Sequence, residues 1–121
     1  MSRELSLAEV FQLGYYWETK ILLTAVRLDV FSALDGKQKT LPDLAGRLGA
    51  HRETLGLLLN ALVAMRLLKK DGDCYENAVV AATHLVRSSA QYVGHLLLLH
   101  DAEWDNWGKL EQTIRRGKRL L

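Results

Sequence analysis

Apolar positions repeat with helical spacing from the start of the chain. Leu7, Val10, Phe11 and Gly14 follow the i, i+3, i+4, i+7 rhythm of one helix face. Ser6 stands where a helix cap belongs, and Glu9 three residues later completes a capping box. Ile21, Leu22, Ala25, Val26 and Asp29 trace a second helix, with Leu23 and Leu28 widening its apolar face. Val30, Phe31 and Leu34 predict a short third piece, ended by a turn at Asp35-Gly36. This opening segment, residues 6–34, is apolar around more than half of its circumference. Apolar exposure of that breadth marks a partner surface.

A tighter pattern follows. Thr40 caps a helix, Asp43 sits at the position that answers the cap, and Pro42 is tolerated in the first turn. Leu44, Ala45 and Leu48 form its buried face, and Gly49 ends it in a left-handed turn. Residues 52–67 make the next helix. Two short extended runs, 67–70 and 74–77, then flank Asp71-Gly72-Asp73 and predict a hairpin. Helix, turn, helix and hairpin together outline a winged helix. Asn77 is placed to cap a short helix reaching Val86, and Ser88 and Ser89 break it. Residues 91–101 read as a leucine-rich helix. Residues 102–116 read as a last helix carrying Trp104, Trp107, Leu110 and Ile114, ended by Gly117, with 118–121 trailing off. The expected fold is mainly α, one domain over 1–121: helices in 1–36, a winged-helix unit in 37–78 and C-terminal helices in 79–121.

Composition narrows the class. The chain has 121 residues, 49% hydrophobic and 25% charged, the mix of a globular protein. A net charge of +2 creates no demand for nucleic acid or an anionic membrane. One cysteine, Cys74, excludes an intrachain disulfide and suits a reducing compartment. No run approaches about 18 apolar residues, and the N-terminus lacks a secretory apolar core, so a cytoplasmic location is expected.

No catalytic constellation stands out. The glycines are scattered, and none forms the clustered turn that cradles a nucleotide. His95 and His100, near Asp101 and Glu103, are five apart and do not stack on adjacent turns, so no metal site is expected. His84 and Cys74 form a base and a thiol without a third group to orient them, and His51 reads as a surface residue before a helix. The predicted recognition helix has only Asn60 and Arg66 as strongly polar positions between Leu55 and Leu67, and Asp71 and Asp73 sit at the wing tip. A DNA reader needs a polar, basic helix there. The basic run at 115–119 suits a solvated helix end. The aromatic cluster Tyr15-Tyr16-Trp17 suits packing, with a second role lining a small-molecule pocket.

Three segments carry a family resemblance. GYYWETKILLTAVRLDVFSAL, TLPDLAGRLGAHRETLGLLLNALVAMRLLKKDGDCYENA and WDNWGKLEQTIRRGK occur in order across nearly the whole chain. Together they resemble the N-terminal domain of S-adenosylmethionine-dependent O-methyltransferases of the plant caffeate and bacterial polyketide group. Arg66 stands where that family often has glycine, and Ala78 where it often has threonine. The resemblance implies a helical dimerisation domain with an embedded winged helix that does not bind DNA. It implies an intertwined homodimer, with Val10, Phe11, Leu22, Val26, Leu97 and Leu98 as interface candidates. It also implies that the domain caps the pocket for a small-molecule hydroxyl acceptor in the parent enzyme; in some members an aromatic of the first helices reaches into the partner subunit's pocket, and Tyr15, Tyr16 and Trp17 lie in that region. The cofactor and the catalytic histidine of the family belong to a following Rossmann-like domain. None of the four histidines here takes that role, and these residues bind no cofactor or metal themselves. Two other classes stay open at this level: a winged-helix transcription regulator, and a stand-alone interaction protein.

Overall fold

The computed structural model describes residues 3–117. Helix α1, Leu7–Gln12, starts at the expected capping box: the Ser6 hydroxyl accepts from the Glu9 backbone, and the Glu9 carboxylate accepts from the Ser6 backbone. Helix α2, Tyr16–Leu28, ends where Asp29 turns left-handed, and α3, Val30–Ala33, follows at once. Asp29, read from periodicity as part of the α2 face, is therefore the break between two helices. The chain then turns at Gly36, which has a positive φ.

The winged helix is present. Thr40 caps α4, Leu41–Leu48, by accepting from the Asp43 backbone, and Gly49 closes the helix in the left-handed region. The Asp43 carboxylate makes an ion pair with Arg47 rather than the reciprocal bond of a capping box. Helix α5, Arg52–Ala64, is followed by strands β2, Leu68–Asp71, and β3, Cys74–Asn77. Asp71 pairs with Cys74, so the hairpin turn has two central residues, and only the first, Gly72, has a positive φ. A type II′ turn has glycine at that first position. A third strand, β1, Lys39–Thr40, was not legible in the sequence. It pairs antiparallel with β3 and completes a sheet of order β1-β3-β2.

The core lies between α2, α3, α4, α5 and this sheet. Val26, Val30, Phe31, Leu34, Leu44, Leu59, Leu62, Leu68 and Tyr75 are buried together. Asn77 does not cap the next helix. Its side chain turns inward and donates to the Phe31 carbonyl at 2.9 Å, tying β3 to α3. Ala78 takes the cap position of α6, Val79–His84, without a side-chain cap. The leucine-rich helix α7 spans Gly94–Ala102 and packs along α2. The last predicted helix is two: α8, Trp104–Trp107, and α9, Leu110–Arg116, ended by Gly117 as expected. Residues 118–121 lie outside the described residues.

Candidate functional site

Helix α1 has no buried residue. Its capping box and the Arg3–Glu9 ion pair, with both bonds at 2.7 Å, shape it locally, yet its apolar side chains meet solvent. Val10 and Phe11 are exposed, Phe11 at 61%. Leu7 and Leu13 beside them are also exposed.

The other interface candidates separate by depth. Leu22 is half-buried against the core. Val26 is 2% exposed and belongs to the core of its own protomer, which removes it from any exposed face. Periodicity identified the Leu22–Val26 stripe but not which way it faces. In α7, Leu97 and Leu98 pack half-buried against the core, while Leu96 and Leu99 face outward. Four consecutive leucines conceal that division, because every angle around the helix is apolar.

The three aromatics stay together at the α1–α2 junction. Tyr15 and Trp17 have ring centroids 5.0 Å apart, and Tyr16 meets Trp17 edge-on at 5.5 Å. All three are exposed. Tyr15 and Tyr16 also line a cleft of about 440 Å³ with Gln12, Leu13, Thr19 and Trp104, so α8 contributes to its lining. Trp17 is not among its lining residues. The volume is within the usual range for a small-molecule site.

Asp101, near the end of α7, is tied to α2. Its carboxylate lies 3.1 Å from Lys20 Nζ and 2.8 Å from an Arg27 guanidinium nitrogen, both on α2. The Lys20 hydrogen bond, aided by Arg27, holds the carboxyl below its ordinary range despite burial, which acts the other way. Lys20 also stands 4.8 Å from the centroid of the Trp104 ring. Sequence reasoning missed this arrangement. The available signal was two cations seven apart on a mostly apolar helix, which share one face.

The histidines do not converge. His84 Nδ1 meets the Gln91 carbonyl at 3.0 Å, His95 lies beside the Tyr92 ring, and His51 and His100 are exposed. No group of three or more His, Cys, Asp or Glu side chains gathers to hold a metal among the described residues. Cys74 is a free thiol, half-exposed on the wing. The outer face of α5, where a DNA reader would meet the groove, carries Glu53, Leu57, Asn60 and Ala64. Leu57 is 71% exposed, and Asn60 accepts from the Tyr75 hydroxyl at 2.8 Å. That face has no cation for phosphate, and the wing presents Asp71 and Asp73.

A helical arm with nothing of its own to cover it, joined to a winged helix that is unsuited to DNA, agrees with what known proteins show. The family model described as O-methyltransferase dimerisation domain matches residues 11–87. The chain belongs to this family. Among curated relatives, the tetracenomycin polyketide synthesis 8-O-methyl transferase TcmO of Streptomyces glaucescens is 36% identical over 108 residues, 88% of this chain and 32% of that protein. The N,N-dimethyltransferase OxyT of Streptomyces rimosus is 32% identical over 104 residues, 85% of this chain and 30% of that protein. The solved structure of an O-methyltransferase family protein from Burkholderia thailandensis superposes with a TM-score of 0.82 at 29% identity, over 93% of this chain and 34% of that one. The chain thus spans about a third of the length of the relatives it matches.

Proposed function

We propose that the chain is the homodimerisation domain of an S-adenosylmethionine-dependent O-methyltransferase, and that it caps the acceptor pocket of the parent enzyme. One observation carries the homodimer: α1 presents Leu7, Val10 and Phe11 to solvent and buries none of them. A second copy removes this surface from water, and Leu96 and Leu99 of α7 extend the apolar face. Obligate interfaces of this kind bury more than about 2,000 Å² and resemble a core.

The methyl donor does not fit these residues. The sheet has three short antiparallel strands, and among the described residues no strand leads into a glycine-rich turn and helix. S-Adenosylmethionine therefore belongs to another part of the parent enzyme, as the family resemblance implies. The cleft between Tyr15, Tyr16 and Trp104 is our candidate for the surface that faces a flat acceptor. A hydroxyl acceptor is favoured by the 8-O-methyl transferase relative. A nitrogen acceptor is the second reading, favoured by the N,N-dimethyltransferase relative. A cytoplasmic setting is supported by the unpaired Cys74; no helix among the described residues is long and apolar enough to cross a membrane.

Sedimentation equilibrium at micromolar concentration tests the homodimer. The expected mass is twice the 13.7 kDa of one chain. A monomer across the concentration series overturns the reading.

A further inference from the structure

Asp101 lies at the end of α7, and its side chain is only 6% exposed. Two cations reach it from one face of α2, and they are not equivalent. The Arg27 side chain is 73% exposed, so solvent screens its pair with Asp101 and the pair contributes little. Lys20, at 45%, is also screened, but it has a second partner that Arg27 lacks, the Trp104 ring. An ammonium at this distance from an indole face is attracted by the ring quadrupole, most strongly for tryptophan. One lysine therefore links a nearly buried carboxylate to the ring that walls the cleft.

We propose that Asp101 and Lys20 are a positioning pair: Asp101 fixes the Lys20 ammonium, and the ammonium fixes Trp104 in the lining it shares with Tyr15 and Tyr16, which sets the cleft for a flat aromatic ring. This rests on the cleft reading given above. Three of the lining side chains are aromatic and can stack with an offset ring, and a lining ring free to swing loses affinity to ordering. Gln12 and Thr19 at the lining offer hydrogen bonds to a polar substituent on such a ring.

The test uses the 121-residue protein and 2-naphthol as the flat aromatic probe. The indole N–H peak of Trp104, assigned with Trp104→Phe, is followed by NMR before and during titration. The wild type is expected to give a saturable shift. Lys20→Met and Asp101→Asn are each expected to move the Trp104 peak without probe and to weaken 2-naphthol binding about fivefold, the size of one cation–π contact. Arg27→Met is expected to leave both readouts near wild type, and Lys20→Arg to restore both. A purely structural clamp would make Arg27→Met and Lys20→Met alike, because each loses one ion pair to the same carboxylate; that result overturns the proposal. So does an unmoved Trp104 peak in Lys20→Met and Asp101→Asn. No saturable shift in the wild type removes the cleft reading, and the Trp104 peak without probe then still decides whether the pair positions the ring.

Discussion

Arg66 has a φ of 67°, a left-handed conformation in which a Cβ crowds the backbone. The position demands it. Arg66 N–H meets the Val63 carbonyl and Leu67 N–H reaches back to the Leu62 carbonyl, each at 3.0 Å. These are the two bonds of a Schellman motif, whose left-handed residue is usually glycine. The family resemblance places glycine at this point, and the structure supplies the physical reason. Left-handed backbone costs a residue with a Cβ about 1–2 kcal/mol. Glycine gives back part of that through its freer unfolded chain, about 0.4–1 kcal/mol. Arg66→Gly is therefore expected to raise stability by about 0.5–1 kcal/mol. Urea unfolding at matched protein concentration checks this: the midpoint should rise with an unchanged slope, and a fall would mean that the arginine side chain does more than tolerate the turn. Gly49 is left-handed with the favoured residue; its own N–H and that of Ala50, the latter at 3.0 Å, both return to the Ala45 carbonyl.

At the level of elements, α1 is too short to hold itself by helical bonding alone, since isolated helices below about 12 residues are marginal. Local contacts hold it. Arg3 and Ser6 both converge on Glu9, and their bonds, with Arg3 the largest influence, lower its carboxyl from 4.5 to about 2. A folded-state value below the unfolded one adds stability that is complete above the unfolded value and is lost as pH falls through the folded one. The α1 cap is thus expected to hold above pH 4.5 and to be lost between 4.5 and 2. The carboxyl carbon of Glu9, followed by NMR at low salt, should titrate near 2, and Arg3→Ala should return it toward 4.5. A midpoint near 4.5 in the unaltered chain would mean that the arm is uncapped in solution. Features of this local kind were legible in the sequence: the Ser6 and Thr40 caps, the Gly49 stop and the hairpin all depend on residues a few positions apart. Features set by distant partners were not. Strand β1 exists because Lys39 meets Tyr75. Asn77 fails to cap because the Phe31 carbonyl takes its amide. The last helix breaks between Trp107 and Leu110 although the apolar spacing runs straight through, so periodicity carried no sign of the break.

For the molecule as a whole, the decisive matter is which apolar surface is core and which is left over. The interface expectation grouped Val26 with Phe11, yet Val26 is sealed inside the protomer and Phe11 is open to water. A charge placed at each should therefore act at a different level. Val26→Asp puts an unpaired carboxylate in the core, a disruption of about 3–5 kcal/mol when a buried charge lacks its partner. It is expected to abolish the helical circular dichroism signal with no folded monomer in between. Phe11→Glu leaves every buried contact in place, so helicity should remain. It removes an apolar anchor from each protomer, at about 1.5–3 kcal/mol for one such side chain. With two copies per dimer, dissociation should strengthen by at least about a hundredfold. Sedimentation of Phe11→Glu should then report 13.7 kDa under conditions where the unaltered chain sediments as a dimer. A helical, dimeric Phe11→Glu would place the interface elsewhere, and Leu96 and Leu99 of α7 would be the next residues to charge, because they alone of the four leucines there face outward.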